Sequence, residues 1–182
     1  MSSKLRFDER RIPDLASKYA DWLAKQPRVL TLEMSLLNRR EKVRSRGYLE
    51  KAELREAAEW KASTIAGHIE TNSEEYIKEI TEFAFRASTE RARIEVLTVL
   101  DGVMWPMASV ILHFFHLEYY PILDYRALWS VSLRAQLQYN FAFWWDYVQL
   151  CRDVAQRNGV TMRTLDRALW QYYSENSAGK QE

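Results

Sequence analysis

The segment Leu100–Trp129 combines three features that could take part in chemistry. It contains Gly102 between two apolar helical patterns, Pro106 at the expected start of the second helix, and Asp124 further on. Backbone N–H groups at the start of a helix have no partner within the helix and lie at the positive end of its dipole, so such a turn can hold a phosphate oxygen. An ordinary helix–helix connection that uses glycine for its backbone freedom explains the same pattern.

Asp124 also has two interpretations. It follows the proline-containing run 120–123 and precedes the apolar residues Ala127 and Leu128, so it is a good N-cap for a helix. A capping carboxylate is held rigidly, which also suits catalysis. The structural and the catalytic roles are therefore compatible.

The segment resembles the signature of the helix-hairpin-helix DNA glycosylases, and most closely their adenine-excising branch. The resemblance is carried by Leu100-x-Gly102-Val103, Ala108-Ser109-x-Ile111-Leu112 and Tyr120-Pro-Ile-Leu-Asp124. It implies an all-α fold and an aspartate, Asp124, at the mouth of a pocket that accepts a base. It further implies that the hairpin binds DNA phosphate through Gly102, Val103, Met104 and Trp105.

Three positions depart from the family pattern. Met104 replaces a second hairpin glycine and Asp101 replaces a proline, and both changes weaken phosphate binding, one by restricting the backbone and the other by adding negative charge. Pro106 stands where the bifunctional members carry a lysine, so no Schiff base forms at this position and we expect no strand-nicking step.

Asp124 would serve the cleavage of an N-glycosidic bond. The reaction develops positive charge on the deoxyribose, which a fixed carboxylate stabilises. The base must first leave the stack, which favours a pocket with aromatic walls. We expect Tyr125, Arg126 and Trp129 to line this pocket, although aromatic residues at helical spacing more often pack in the core.

No cofactor or metal is expected. Cys151 is the only cysteine, which excludes an intrachain disulfide and the four-cysteine iron–sulfur cluster of many relatives. His113 and His116 share one helical face, but no carboxylate accompanies them in fixed register, so we expect no metal there.

Two arginine-rich runs could add phosphate contacts, or could be solvated helix surfaces. Their members are Arg39, Arg40, Lys42, Arg44 and Arg46 in the first run, and Arg152, Arg157, Arg163 and Arg167 in the second.

We therefore expect a monofunctional DNA glycosylase of base excision repair that acts on a duplex containing a damaged or modified base. The alternatives are a non-catalytic helix-hairpin-helix DNA-binding module on the same scaffold, and a helical protein-interaction domain. The sequence names neither the base nor the oligomeric state.

The fold must be built from helices. Apolar residues recur at helical spacing, while five glycines and four prolines are few for an all-β chain. We expect one compact multi-helix bundle over residues 1–176, with the hairpin near residues 91–115 and a disordered tail over 177–182. No apolar run is long enough to span a bilayer and no signal segment is visible, so we expect a cytoplasmic protein.

Local signals place the helix ends. Pro13 and Pro27 are predicted in the first turns of the first two helices. Four further helices are predicted to begin at the N-cap residues Asn72, Ser88, Asn140 and Thr161.

Overall fold

The computed structural model describes residues 5–177, and every regular element in that range is helical. The all-α prediction is thus confirmed. The α-helices of the described range are α1 Ile12–Ala24, α2 Pro27–Arg46, α3 Lys51–Lys61, α4 Ser63–Ile69, α5 Glu74–Arg86, α6 Glu90–Leu97, α7 Trp105–Phe115, α8 Tyr125–Ser130, α9 Phe141–Arg157 and α10 Met162–Asn176. A 3-10 helix, Glu9–Arg11, precedes α1.

The chain divides into two compact units. One unit combines the described residues up to Gln26 with those from Tyr120 onward, and the other is Pro27–Tyr119. We refer to them as the terminal unit and the central unit. The prediction of a single domain over residues 1–176 stays a prediction.

The central unit is built around α7. All residues from Met107 to Phe115 are buried, as expected for a helix that is apolar on every side. Helices α2, α3 and α6 pack against it, and α4 and α5 pack against α3. The Gly102 turn belongs to this unit.

The terminal unit is built around α10, which packs against α1, α8 and α9. Leu165 and Leu169 of α10 are buried, as are Leu15 of α1 and Leu128 of α8. Helix α1 therefore meets partners from the far end of the described chain. Asp124 belongs to this unit.

Most of the predicted helix starts are confirmed. Pro13 lies in the first turn of α1, Pro27 begins α2, and the side chains of Asn140 and Thr161 accept bonds from Phe143 N–H and Thr164 N–H.

Two predicted caps are wrong by one residue. Ser73, rather than Asn72, caps α5, and Thr89, rather than Ser88, caps α6. Asn72 is buried, and its amide bonds to the backbone of Asp101 instead.

The connection between α6 and α7, which contains Gly102, covers residues 98–104. Helix α6 ends at Leu97, and Thr98, Val99 and Leu100 then form i→i+3 bonds back to residues 95–97. A tightened last turn of this kind satisfies carbonyl groups that a helix end leaves open.

None of the helices within residues 5–177 combines the length and the apolar character needed to cross a bilayer. Of the predicted tail, Ser177 is the C-cap of α10 and donates its N–H to the carbonyl of Tyr173, while residues 178–182 lie outside the described range.

Candidate functional site

Asp124 is the N-cap of α8, as predicted. Its backbone is extended, and one carboxylate oxygen accepts the N–H of Arg126 at 2.9 Å. The side chain is 15% exposed and lies 3.6 Å from the guanidinium of Arg126. The carboxylate is therefore fixed by the helix start and remains partly accessible to solvent.

The segment before Asp124 is fixed by two helices. The carbonyl of Ile122 accepts the Tyr147 hydroxyl of α9 at 3.1 Å, and the Ile122 N–H donates to Asp166 of α10 at 3.3 Å. Asp166 is itself buried and accepts a bond from Arg163 at 2.6 Å. Because the carbonyl and the N–H of Ile122 are both bonded in the interior, α9 and α10 fix the backbone two residues before Asp124.

The groups beneath this segment are held in their neutral forms. Complete burial raises the pKa of Tyr147 well above its usual value, so the phenol stays protonated and keeps its bond to Ile122. Burial also raises the pKa of the Cys151 thiol, although a hydrogen bond with Tyr147 opposes this rise. The thiol is thus not an activated nucleophile.

Two of the three residues predicted to line a base pocket contact one ring, and the third lies over one of these two. Tyr125 and Trp129 both contact the ring of Tyr173 edge to face, with centroids 5.4 and 5.5 Å apart. The Arg126 guanidinium lies 4.4 Å from the centroid of Tyr125. Tyr125 is 47% exposed, while Trp129 and Arg126 are half-buried. This arrangement is an aromatic surface beside Asp124, with one prominent accessible ring.

The sequence did not identify three further members of this surface. Tyr173 and Trp170 come from α10, and Arg6 comes from the segment before α1. Arg6 lies 4.4 Å above the ring of Trp129 and donates to the Trp129 carbonyl at 2.6 Å. The i, i+3 spacing of Trp170 and Tyr173 was the available signal, since it places both rings on one face of a helix.

The Gly102 turn is tied to the end of α4. Gly102 has φ +79°, and a Cβ built on it would lie 2.9 Å from Cβ of His68. Asn72 bonds to both the N–H and the carbonyl of Asp101, and the Thr71 hydroxyl donates to the Asp101 carboxylate at 2.8 Å. Glycine is therefore required both for the backbone conformation and for the close approach of two segments.

The remaining residues of the predicted phosphate site differ in exposure. Val103 is buried and donates its N–H to the carbonyl of Leu100 at 3.0 Å. The Met104 side chain is 70% exposed and provides no side-chain cap for α7, and Trp105 is half-buried in its first turn.

The arginines of α2 are engaged within the central unit. Arg40 and Arg44 donate to the carbonyls of Phe114 and His116 at the end of α7, and Arg39 pairs with Glu56. The carbonyls at a helix C-terminus lack partners within the helix, so these cations stabilise it. This part of the basic run holds the fold together.

His113 and His116 are both buried. The Nδ1 atom of His116 accepts the N–H of Glu118 at 2.9 Å. Burial, aided by the charge of Arg93, lowers the pKa of His116 to about 4. Among residues 5–177, no three His, Cys, Asp or Glu side chains are grouped as metal ligands.

Comparisons of the chain with protein-family models, with curated proteins and with solved structures give no match.

Proposed function

We propose that this protein binds DNA and excises a damaged or modified base as a monofunctional N-glycosylase. Asp124 stabilises the oxocarbenium-like deoxyribose, and the surface formed by Tyr125, Arg126 and Trp129 receives the extruded base. One observation carries the proposal. The carboxylate of Asp124, which is held in place as the cap of α8 and is partly exposed, lies beside aromatic rings of the same unit. The resemblance of Leu100–Asp124 to the helix-hairpin-helix glycosylases supports it.

The chemistry assigned to Asp124 is electrostatic. Cleavage of the bond between C1′ and the base nitrogen leaves positive charge on the sugar, and water then adds at C1′. A carboxylate whose position is fixed before the reaction needs little reorganisation as that charge develops. The bonds that hold Ile122, two residues upstream, supply this rigidity.

The activity is testable with oligonucleotides that each carry one damaged or modified base, in duplex and in single-stranded form. Heating the product in alkali cuts the strand at an abasic site. The wild-type protein is expected to yield a cut strand with at least one lesion. Asp124→Asn is expected to slow the appearance of the cut strand about 10²- to 10³-fold, whereas Asp153→Asn, which changes an exposed aspartate of α9, is expected to retain the wild-type rate.

Failure of a broad lesion panel to give any abasic product would refute the enzymatic proposal. Full activity of Asp124→Asn would refute only the role of Asp124.

A non-catalytic DNA-binding module is the second candidate. It is favoured by the Gly102 turn before α7, which Asn72 holds through both the N–H and the carbonyl of Asp101, and it requires no chemistry at Asp124. This candidate predicts DNA binding that weakens with added salt and is accompanied by no excision.

A further inference from the structure

Six side chains of the terminal unit form a continuous series of contacts that we name the arginine–aromatic ribbon. Its members are, in spatial order, Arg6, Trp129, Tyr173, Tyr125, Arg126 and Trp170. Successive contacts, measured to or between ring centroids, are 4.4, 5.5, 5.4, 4.4 and 5.7 Å. Guanidinium groups thus alternate with groups of rings along a single path.

We propose that this ribbon is a binding track for an unpaired DNA strand. The proposal rests on the proposed function for its link to catalysis and defines the strand state of the substrate. The guanidinium groups would pair with phosphates, while the accessible ring of Tyr125 would stack on a base.

The composition of the ribbon fits this partner. Both basic members of the ribbon, Arg6 and Arg126, are arginines. A guanidinium stacks on an aromatic ring and still offers its in-plane N–H groups to a phosphate, which a lysine ammonium cannot do. The ribbon itself contains two cations and no carboxylate, and although Asp124 pairs with Arg126 at 3.6 Å, the remaining positive charge is complementary to a phosphate backbone.

The ring surfaces favour an unpaired strand over a duplex. In a duplex the faces of the bases are covered by their neighbours, and a tyrosine can reach such a face only after the base has unstacked. Single-strand binding commonly combines a basic path with aromatic stacking, and it tolerates different sequences because every base has a face. Tyr125 is the ribbon ring that projects most into solvent.

The ribbon passes directly beside the carboxylate. The guanidinium of Arg126, a ribbon member, lies 3.6 Å from the Asp124 carboxylate, and the backbone N–H of Arg126 donates the capping bond to that carboxylate. A strand that follows the ribbon therefore passes the group to which we assign the chemistry. The substrate inferred from this arrangement is single-stranded DNA or a duplex opened at the target base.

Strand binding can be measured without any excision by fluorescence anisotropy. The probes are a fluorescein-labelled thymidine oligonucleotide and the same strand annealed to its complement, each titrated with the full-length protein at two salt concentrations. We expect tighter binding of the single strand, and weaker binding at the higher salt concentration. Equal or tighter binding of the duplex, or binding of neither probe, would overturn the proposal.

Tyr125→Ala tests the stacking role directly. We expect its affinity for the single strand to fall roughly 5- to 150-fold, the effect of losing one stacked base. Tyr76→Ala, which removes a tyrosine of α5 that is 39% exposed, is the matched control and should bind like the wild type. Equal affinities of the two variants would overturn the proposal, and their unfolding temperatures show that both are folded.

The result is separable from the excision test. Single-strand binding without excision of any base would support the ribbon and refute the glycosylase. Excision from duplexes alone, with no affinity for the single strand, would support the glycosylase and refute the ribbon.

Discussion

Replacement of Asp124 separates its capping role from its chemical role. An asparagine keeps a side-chain oxygen that can accept the Arg126 N–H, which the aspartate accepts at 2.9 Å. Asparagine and aspartate are similarly effective N-caps, whereas alanine costs about 1 kcal/mol. Asparagine also loses the 3.6 Å ion pair with Arg126, a partly exposed interaction worth at most about 1 kcal/mol.

Asp124→Asn and Asp124→Ala should therefore differ from each other in stability but lose the same amount of activity. Alanine loses both the cap and the ion pair, so we expect Asp124→Ala to lower the unfolding temperature by roughly 2–8 °C, at about 2–4 °C for each 1 kcal/mol in a chain of this size. Asp124→Asn loses only the ion pair and should unfold less than about 4 °C below the wild type. Both should lose about 10²- to 10³-fold in the excision rate, the usual cost of removing one preorganised electrostatic group.

Thermal unfolding and single-turnover excision, measured on the same preparations, check this prediction. Wild-type activity in Asp124→Asn together with lost stability in Asp124→Ala would mean that Asp124 is only a cap. A large loss of stability in the asparagine variant, which keeps the capping bond, would instead refute the assignment of that bond as the main contribution of Asp124 to stability.

Three further substitutions test other parts of the structure. Gly102→Ala should reduce the free energy of unfolding by at least about 1 kcal/mol more than Gly47→Ala, because both glycines have positive φ but only Gly102 lies against His68; equal losses in denaturant unfolding would contradict this. Ser132→Gly should raise the free energy of unfolding by roughly 0.5–1 kcal/mol, because Ser132 has φ +62°; an unchanged or lower unfolding temperature would count against it. Burial lowers the pKa of His116, so its stabilising effect is complete above pH 6.5 and is lost as the pH falls through about 4. His116→Gln should therefore show a smaller loss of stability between pH 7 and pH 4 than the wild type. Parallel pH profiles of stability for the two proteins would show that His116 does not cause the loss.

The helices were predictable because their signals are local. The apolar periodicity and the caps at Asn140 and Thr161 act within a few residues, and the structure confirms them. The prediction at Asn72 was wrong because a distant partner, Asp101, engages its amide. A capping preference cannot reveal which of two neighbouring polar residues the tertiary fold will engage elsewhere.

The candidate site was predictable only where its members are adjacent in sequence. Tyr125, Arg126 and Trp129 follow Asp124 on a single short helix, so proximity to Asp124 identified them. Arg6 and Tyr173 reach the same surface through the packing of α1 and α8 against α10. Their contribution depends on which helices meet, which the pattern of one chain does not determine.

The terminal unit also constrains when the site can form during synthesis. Helix α1 leaves the ribosome early, but α10, on which it packs, is translated after every other described helix. Until then the apolar face of α1 has no native partner, and neither Arg6 nor Trp129 has its complete set of neighbours. The residues of Pro27–Tyr119, by contrast, are contiguous in sequence and can pair as they emerge. Ribosomes that stall before Met162 would therefore carry chains whose Asp124 segment still lacks the Asp166 side chain that holds it.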